Sequence, residues 1–268
     1  IELFIRTFVH GDDEILLSAN TFPIYKISAQ AVGRRFVEVP MKDRHYDLEA
    51  MAEAVNPRTR LVFIANPDNP TGGYQTEEAV VRFIERLPER TLVVMDEAYY
   101  EYVVATDYPN SLALRKRFPN LIVMRTFSKA YGLAGLRVGY AVARPEIVEY
   151  VNRTRAPFNV STMAQLAARA ALEDQEHVRR TSELNRQALA LLGKELPALG
   201  LSFTPSQTNF YLVDFHRPIG PIFEGLLREG VIVRPMTANG FPTSARINTG
   251  TEEENEKLLG ALKRVLAG

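Results

Sequence analysis

The chain has 268 residues, 46% of them apolar, and its 32 lysines and arginines balance its 32 aspartates and glutamates. That length and apolar content exclude a disordered segment, and the zero net charge argues against nucleic acid or a membrane surface as the main partner, which leaves small molecules. Cysteine is absent, so disulfides, thiolate nucleophiles and cysteine metal sites are excluded; no metal is expected, and a cytoplasmic location fits.

Residues 1–8 read as the body of an amphipathic helix with no capping residue ahead of Ile1, so the chain is expected to open inside an element. Strands are predicted at residues 15–18, 35–39, 60–65, 92–96, 121–126 and 137–143. Helices are predicted between them at 24–32, 48–54 and 76–87. This alternation predicts an α/β fold with a mainly parallel central sheet flanked by helices. The nearly all-apolar runs at 61–65 and 92–95 fit strands covered on both faces. Beyond Pro145 the pattern turns helical, with helices expected at 161–172 and 176–196. Strands near 210–215, 231–234 and 245–248 and helices near 221–229 and 252–266 predict a small α+β unit. We therefore expect a large domain over residues 1–150, and junction helices with a small C-terminal domain over 151–268.

In an open α/β sheet, ligands bind beyond the carboxyl ends of the strands. Three strand ends carry chemistry here. The strand at 60–65 runs into Asn66-Pro67-Asp68-Asn69-Pro70-Thr71-Gly72, which taken alone is an ordinary turn that could hold the Asn69 amide toward that edge. The next ends in Asp96-Glu97-Ala98-Tyr99; a carboxylate at the end of a buried strand needs a partner, whether a ligand or a helix it caps. The third gives Thr126-Phe127-Ser128-Lys129 followed by a glycine-rich stretch to Arg137.

One ligand would account for all three edges: a planar cationic heterocycle bearing a phenolate oxygen, an aldehyde and a phosphate, which is pyridoxal 5'-phosphate. Lys129 would hold it as a Schiff base and serve as the catalytic base. Asp96 would pair with the ring nitrogen, Asn69 and Tyr99 with the phenolate, and Thr126, Ser128 and Arg137 with the phosphate.

At these residues the chain resembles the fold-type I pyridoxal-phosphate-dependent aminotransferases, through Asn69-Pro70-Thr71-Gly72, Asp96-Glu97-Ala98-Tyr99 and Ser128-Lys129 with Arg137. Within them it most resembles the histidinol-phosphate aminotransferases, through the run from Thr126 to Tyr140 and Arg155-Ala156-Pro157-Phe158-Asn159-Val160-Ser161. The resemblance implies that Phe22 stacks on the cofactor, where tyrosine is common in the family, and that Asn209, Arg234 and Arg246 bind substrate. It implies transamination between an amino donor and an oxo acceptor: histidinol phosphate and 2-oxoglutarate giving imidazole-acetol phosphate and L-glutamate, in histidine biosynthesis. It also implies a homodimer, and a preceding segment of roughly 90 residues, enough for several helices and a strand. That segment would supply an arm to the partner subunit and a helix N-terminus for the cofactor phosphate. Aromatic amino acids as substrates, threonine-phosphate decarboxylation and an inactive cofactor-fold binding module are the alternatives.

Overall fold

In this computed structural model, which describes residues 1–267, six strands form the larger sheet. They are β1 (Glu14–Ser18), β2 (Arg35–Val39), β3 (Thr59–Ala65), β4 (Leu92–Asp96), β5 (Leu121–Thr126) and β6 (Gly139–Val142), in the order β2-β1-β3-β4-β5-β6. β1 to β5 pair in parallel. β6 runs antiparallel to β5. Six helices accompany the sheet: α1 (Glu2–Phe8), α2 (Ile24–Ala31), α3 (Leu48–Ala54), α4 (Glu77–Glu85), α5 (Ser111–Arg117) and α6 (Pro145–Thr154). Leu61 to Ile64 and Val93 to Met95 have no exposed surface. Such runs are stable only where apolar side chains meet cover above and below the sheet, which is why β3 and β4 lie at its centre.

The helix starts follow side-chain capping. Asp47, Thr76 and Asn110 accept hydrogen bonds from the amides of Ala50, Ala79 and Ala113, each contributing about 1 kcal/mol. Thr76 is thus the cap of α4, not its first helical residue. The last strand is shorter than the predicted 137–143: Arg137 sits in the left-handed region at φ 53°, closing a turn of 3-10 helix. Pairing begins at Gly139, where a Cβ would lie 2.7 Å from the Arg125 carbonyl oxygen. Only glycine lets β6 approach β5 so closely.

The remaining elements are α7 (Thr162–Glu173), α8 (Gln175–Ala198), β7 (Ser202–Phe203), β8 (Phe210–Asp214), α9 (Ile219–Arg228), β9 (Arg234–Pro235), β10 (Ser244–Asn248) and α10 (Glu252–Ala267). Their four strands make an antiparallel sheet in the order β7-β8-β10-β9. The strand expected at 231–234 is corrected here, because only Arg234 and Pro235 enter the ladder. Val233 is buried and Ile232 is 83% exposed, so that apolar run reports packing, not pairing. α8, α9 and α10 share a core with this sheet around Leu192, Leu226 and Leu262. Between it and the larger sheet's core lies a cluster of Tyr99, Tyr102, Ala130, Val178 and Phe210. Among the described residues no helix is long and apolar enough to cross a membrane.

Candidate active site

The strand order places the site. β1 has β2 on one side and β3 on the other, so the chain's direction of travel across the sheet reverses there, opening a crevice beyond the carboxyl ends of the strands. The segments that leave β1, β3, β4 and β5 at this edge carry Phe22, Asn69, Asp96 with Tyr99, and Thr126 to Lys129. Asp96 pairs across the ladder with Ala65 on one side and Met124 on the other. It therefore stands between the Asn69 turn and the Lys129 segment.

A cavity of about 780 Å³ is lined by Phe22, Asp96, Thr126, Ser128, Lys129 and Arg137, among others. Asp96 is buried and accepts a hydrogen bond from the Tyr25 hydroxyl at 2.8 Å. Burial raises its pKa, while the Tyr25 bond and the Lys129 charge act against that rise. The Lys129 Nζ lies 5.1 Å from the centroid of the Tyr99 ring. Burial lowers its pKa, with the charges of Arg246 and Arg137 acting in the same direction and Asp96 opposing them. The consequence is a larger fraction of free amine, the nucleophilic and basic form. The Thr126 hydroxyl donates to the Ser128 hydroxyl at 3.0 Å and accepts from the Ser128 amide at 3.1 Å. Arg137 is exposed and donates to the Ala134 carbonyl at 2.8 Å.

Arg246 joins the two sheets. Its Nη1 donates to the Asn69 Oδ1 at 2.7 Å, and its guanidinium carbon lies 4.9 Å from the centroid of Phe210. The Phe210 ring meets Tyr99 edge-on at 5.4 Å. The Nε of Arg246 is buried and has no hydrogen-bond partner among the described residues. Across the ladder from Arg246 is the exposed Arg234, and both line a second cavity of about 720 Å³. Asn209 lines neither cavity; its carbonyl accepts from the Thr249 amide at 3.0 Å.

The family model described as aminotransferase class I and II matches residues 1–262. The chain belongs to that aminotransferase family. It is 52% identical to the histidinol-phosphate aminotransferase of Anaeromyxobacter sp. (strain Fw109-5) over 268 residues, which cover 99% of this chain and 74% of that protein. It is 46% identical to histidinol-phosphate aminotransferase 1 of Nitrosococcus oceani over 99% of this chain and 72% of that one. The crystal structure of the Sinorhizobium meliloti histidinol-phosphate aminotransferase, in complex with pyridoxal-5'-phosphate, superposes with a TM-score of 0.92 at 34% identity. It covers 99% of this chain and 74% of that chain. The fold is accordingly that of the fold-type I aminotransferases.

Three groups of this aminotransferase's site escape sequence reasoning. Tyr25 has no exposed surface and stacks on Phe63, ring centroids 4.7 Å apart and planes 13° apart. An aromatic on the inner face of a helix reads as core, and only its hydroxyl contact with Asp96 gives it a place in the site. A bond donated to a carboxylate favours the charged form. Tyr25→Phe is therefore expected to raise the Asp96 pKa further and move the acid limb of the kcat/KM profile to higher pH, with unchanged circular dichroism. An unmoved limb would show that the bond leaves Asp96 unaffected. The second group is the Glu97–Arg125 pair at 2.8 Å, with side chains 0% and 10% exposed. It ties the ends of β4 and β5 together, and removing one partner would strand the other charge at a cost of about 3–5 kcal/mol. The third is Asp68, which sequence alone places in an ordinary turn.

Proposed function

We propose that this chain catalyses pyridoxal-phosphate-dependent transamination, with histidinol phosphate and 2-oxoglutarate as substrates and imidazole-acetol phosphate and L-glutamate as products, in histidine biosynthesis. The observation that carries the reading is the presence on one cavity of a lysine with a lowered pKa and a buried carboxylate. The donor set fits the cofactor: an anion for its ring nitrogen, an amine for its aldehyde, and two hydroxyls and a guanidinium for its phosphate. The relatives' names and the cofactor in the Sinorhizobium meliloti structure support the same choice.

In this reading Lys129 holds the cofactor, Asp96 pairs with its ring nitrogen and Phe22 packs on its face. Asn69 and Tyr99 face its phenolate, and Thr126, Ser128 and Arg137 bind its phosphate. When bound, the cofactor supplies an aldehyde that captures an amine and a ring that withdraws electrons from the substrate α-carbon. With the substrate amine in its place on the cofactor, the freed Lys129 Nζ would take the proton from that α-carbon and return it at the other end of the exchange. Arg246, already oriented by Asn69 and Phe210, and Arg234 beside it would bind the anionic group of each substrate, carboxylate or phosphate, through the guanidinium fork. Asn209 would support this end of the site through the Thr249 segment. We assign the cofactor to a large domain of residues 1–150 and substrate recognition largely to residues 151–268.

We further propose a cytoplasmic homodimer. The exposed apolar side chains of Phe158 (94%), Met163 (72%) and Leu166 (59%) support a partner surface. The lack of cysteine fits a reducing compartment.

Steady-state kinetics with 2-oxoglutarate test the substrate assignment. Histidinol phosphate is expected to exceed phenylalanine in kcat/KM by about 100-fold, because phenylalanine replaces the imidazole with an apolar ring and the phosphate with a smaller carboxylate, and one or two lost charge-assisted hydrogen bonds are worth about 3 kcal/mol. Equal values, or preference for phenylalanine, would assign the chain to aromatic substrates instead.

A further inference from the structure

Asp68 lies one residue before Asn69 and is 2% exposed. It accepts from the Thr21 hydroxyl at 2.5 Å through one oxygen, and from the Thr71 hydroxyl at 2.8 Å and the Thr71 amide at 3.2 Å through the other. The bonds behind Thr21 have a definite direction. The Ala65 amide donates to the Tyr46 hydroxyl at 3.1 Å, and the Tyr46 and Thr21 hydroxyls are 2.6 Å apart. Because Thr21 gives its proton to Asp68, it must accept from Tyr46. The result is a one-way relay from the β3 backbone through Tyr46 and Thr21, ending on a carboxylate that can only accept when ionised.

The relay joins the two segments that carry Phe22 and Asn69. Thr21 directly precedes Phe22, and Asp68 directly precedes Asn69. The Thr21 carbonyl also accepts from Asn239 Nδ2 at 3.5 Å, and Gln207 N donates to the Gly72 carbonyl at 2.9 Å, so both segments reach the smaller sheet's side as well. Resting on the cofactor reading above, we propose that the ionised carboxylate of Asp68 is a positioning group that locks Phe22 and Asn69 into one geometry for the cofactor ring.

The energetics separate this role from a merely structural one. Burial pushes the Asp68 carboxyl up to about 6, against the Thr21 and Thr71 hydrogen bonds that favour its charge. Its titratable neighbours are Tyr46, Tyr25 and Tyr99, all held neutral by burial. A carboxyl whose folded pKa is raised binds protons better in the folded state, so its ionisation costs stability as pH rises through the window from its unfolded value of about 4 to about 6. At neutral pH the chain keeps a charge that weakens the fold. Asp68→Asn removes that charge at nearly constant volume, its amide oxygen still accepting from Thr21 while the Thr71 hydroxyl turns to accept from its nitrogen.

The test pairs melting curves of the cofactor-free protein from pH 4 to 8 with titrations of pyridoxal phosphate, for the wild type, Asp68→Asn, Thr21→Val and Thr21→Ser. Asp68→Asn is expected to melt higher than wild type at pH 7.5, the gap closing toward pH 4, while binding pyridoxal phosphate about tenfold more weakly through looser placement of the ring contacts. The wild type should lose affinity as pH falls through 6, a loss that Asp68→Asn lacks. Thr21→Val should weaken binding in the same way, and Thr21→Ser, which keeps the hydroxyl, should restore it. An Asp68→Asn chain that is less stable at pH 7.5 or fails to fold would make the residue structural and overturn the proposal, as would binding equal to wild type with the same pH dependence. A wild type that binds no pyridoxal phosphate would instead overturn the cofactor reading, and the melting curves would still report on the Asp68 charge.

Discussion

Lys129→Ala is expected to lower kcat for transamination by about four orders of magnitude or more, since in the proposed reading one side chain supplies both the covalent hold on the cofactor and the base, and the base alone is worth up to about 10⁴. The fold should survive. Lys129 is only half-buried, and the charges around it include Arg246 and Arg137, which disfavour its ammonium form. Removing it relieves that repulsion, so the melting temperature should stay level or rise. Steady-state rates with a circular-dichroism melt check both halves. Turnover near wild type would remove Lys129 from the mechanism, and an unfolded variant would show that its role is in packing.

Asp96→Asn has the second-largest expected effect. Asparagine keeps the shape and can still accept from Tyr25, so the change isolates the charge. Its loss removes the fixed anion at the depth of the cavity where positive charge would be held, an interaction of the kind worth about 10²–10³ in kcat. Because burial raises the Asp96 pKa, ionisation of Asp96 costs stability above that raised pKa. The sign of the linkage therefore predicts a melting temperature at pH 8 equal to or above wild type. Lys129, losing the one charge that favours its ammonium form, should shift further down. Rates, melts and cofactor titrations of this variant should thus show weak catalysis and weak binding in a stable protein. A destabilised variant with normal affinity would contradict the assignment.

Much of the large sheet was legible because β3 and β4 are so apolar that no exposed placement suits them, and the carboxyl-end rule then pointed to Asn69, Asp96 and Lys129. The elements that escaped are those whose pattern is weak. α5 buries Leu114 and Ser111 but carries Arg115, Lys116 and Arg117 in its last turn, which reads as a solvated loop. β7 pairs only two residues with β8, too short for any period to show. The shortfall in the site is of another kind. Tyr25 and Asp68 act through hydroxyl and carboxylate contacts made across long sequence separations, Tyr25 to Asp96 and Thr21 to Asp68. No spacing along the chain encodes such pairs. Arg246 could be placed by resemblance, but its bond to Asn69 across the two sheets is visible only in three dimensions.

The charge pattern of the site follows one logic. Asp96 and Asp68 are buried carboxylates with raised pKa, and Lys129 is a partly buried amine with a lowered one. Each would be easier to fold in its neutral form. Groups kept under such strain are expected where ligand or chemistry repays the cost.

The most direct test of the role of Lys129 is the visible absorbance of the purified protein with added pyridoxal phosphate, recorded before and after histidinol phosphate. A cofactor carried by Lys129 should give a visible band, absent in Lys129→Ala, that is lost when histidinol phosphate donates its amino group. A band that persists in Lys129→Ala, or one that histidinol phosphate leaves unchanged in the wild type, would contradict that role.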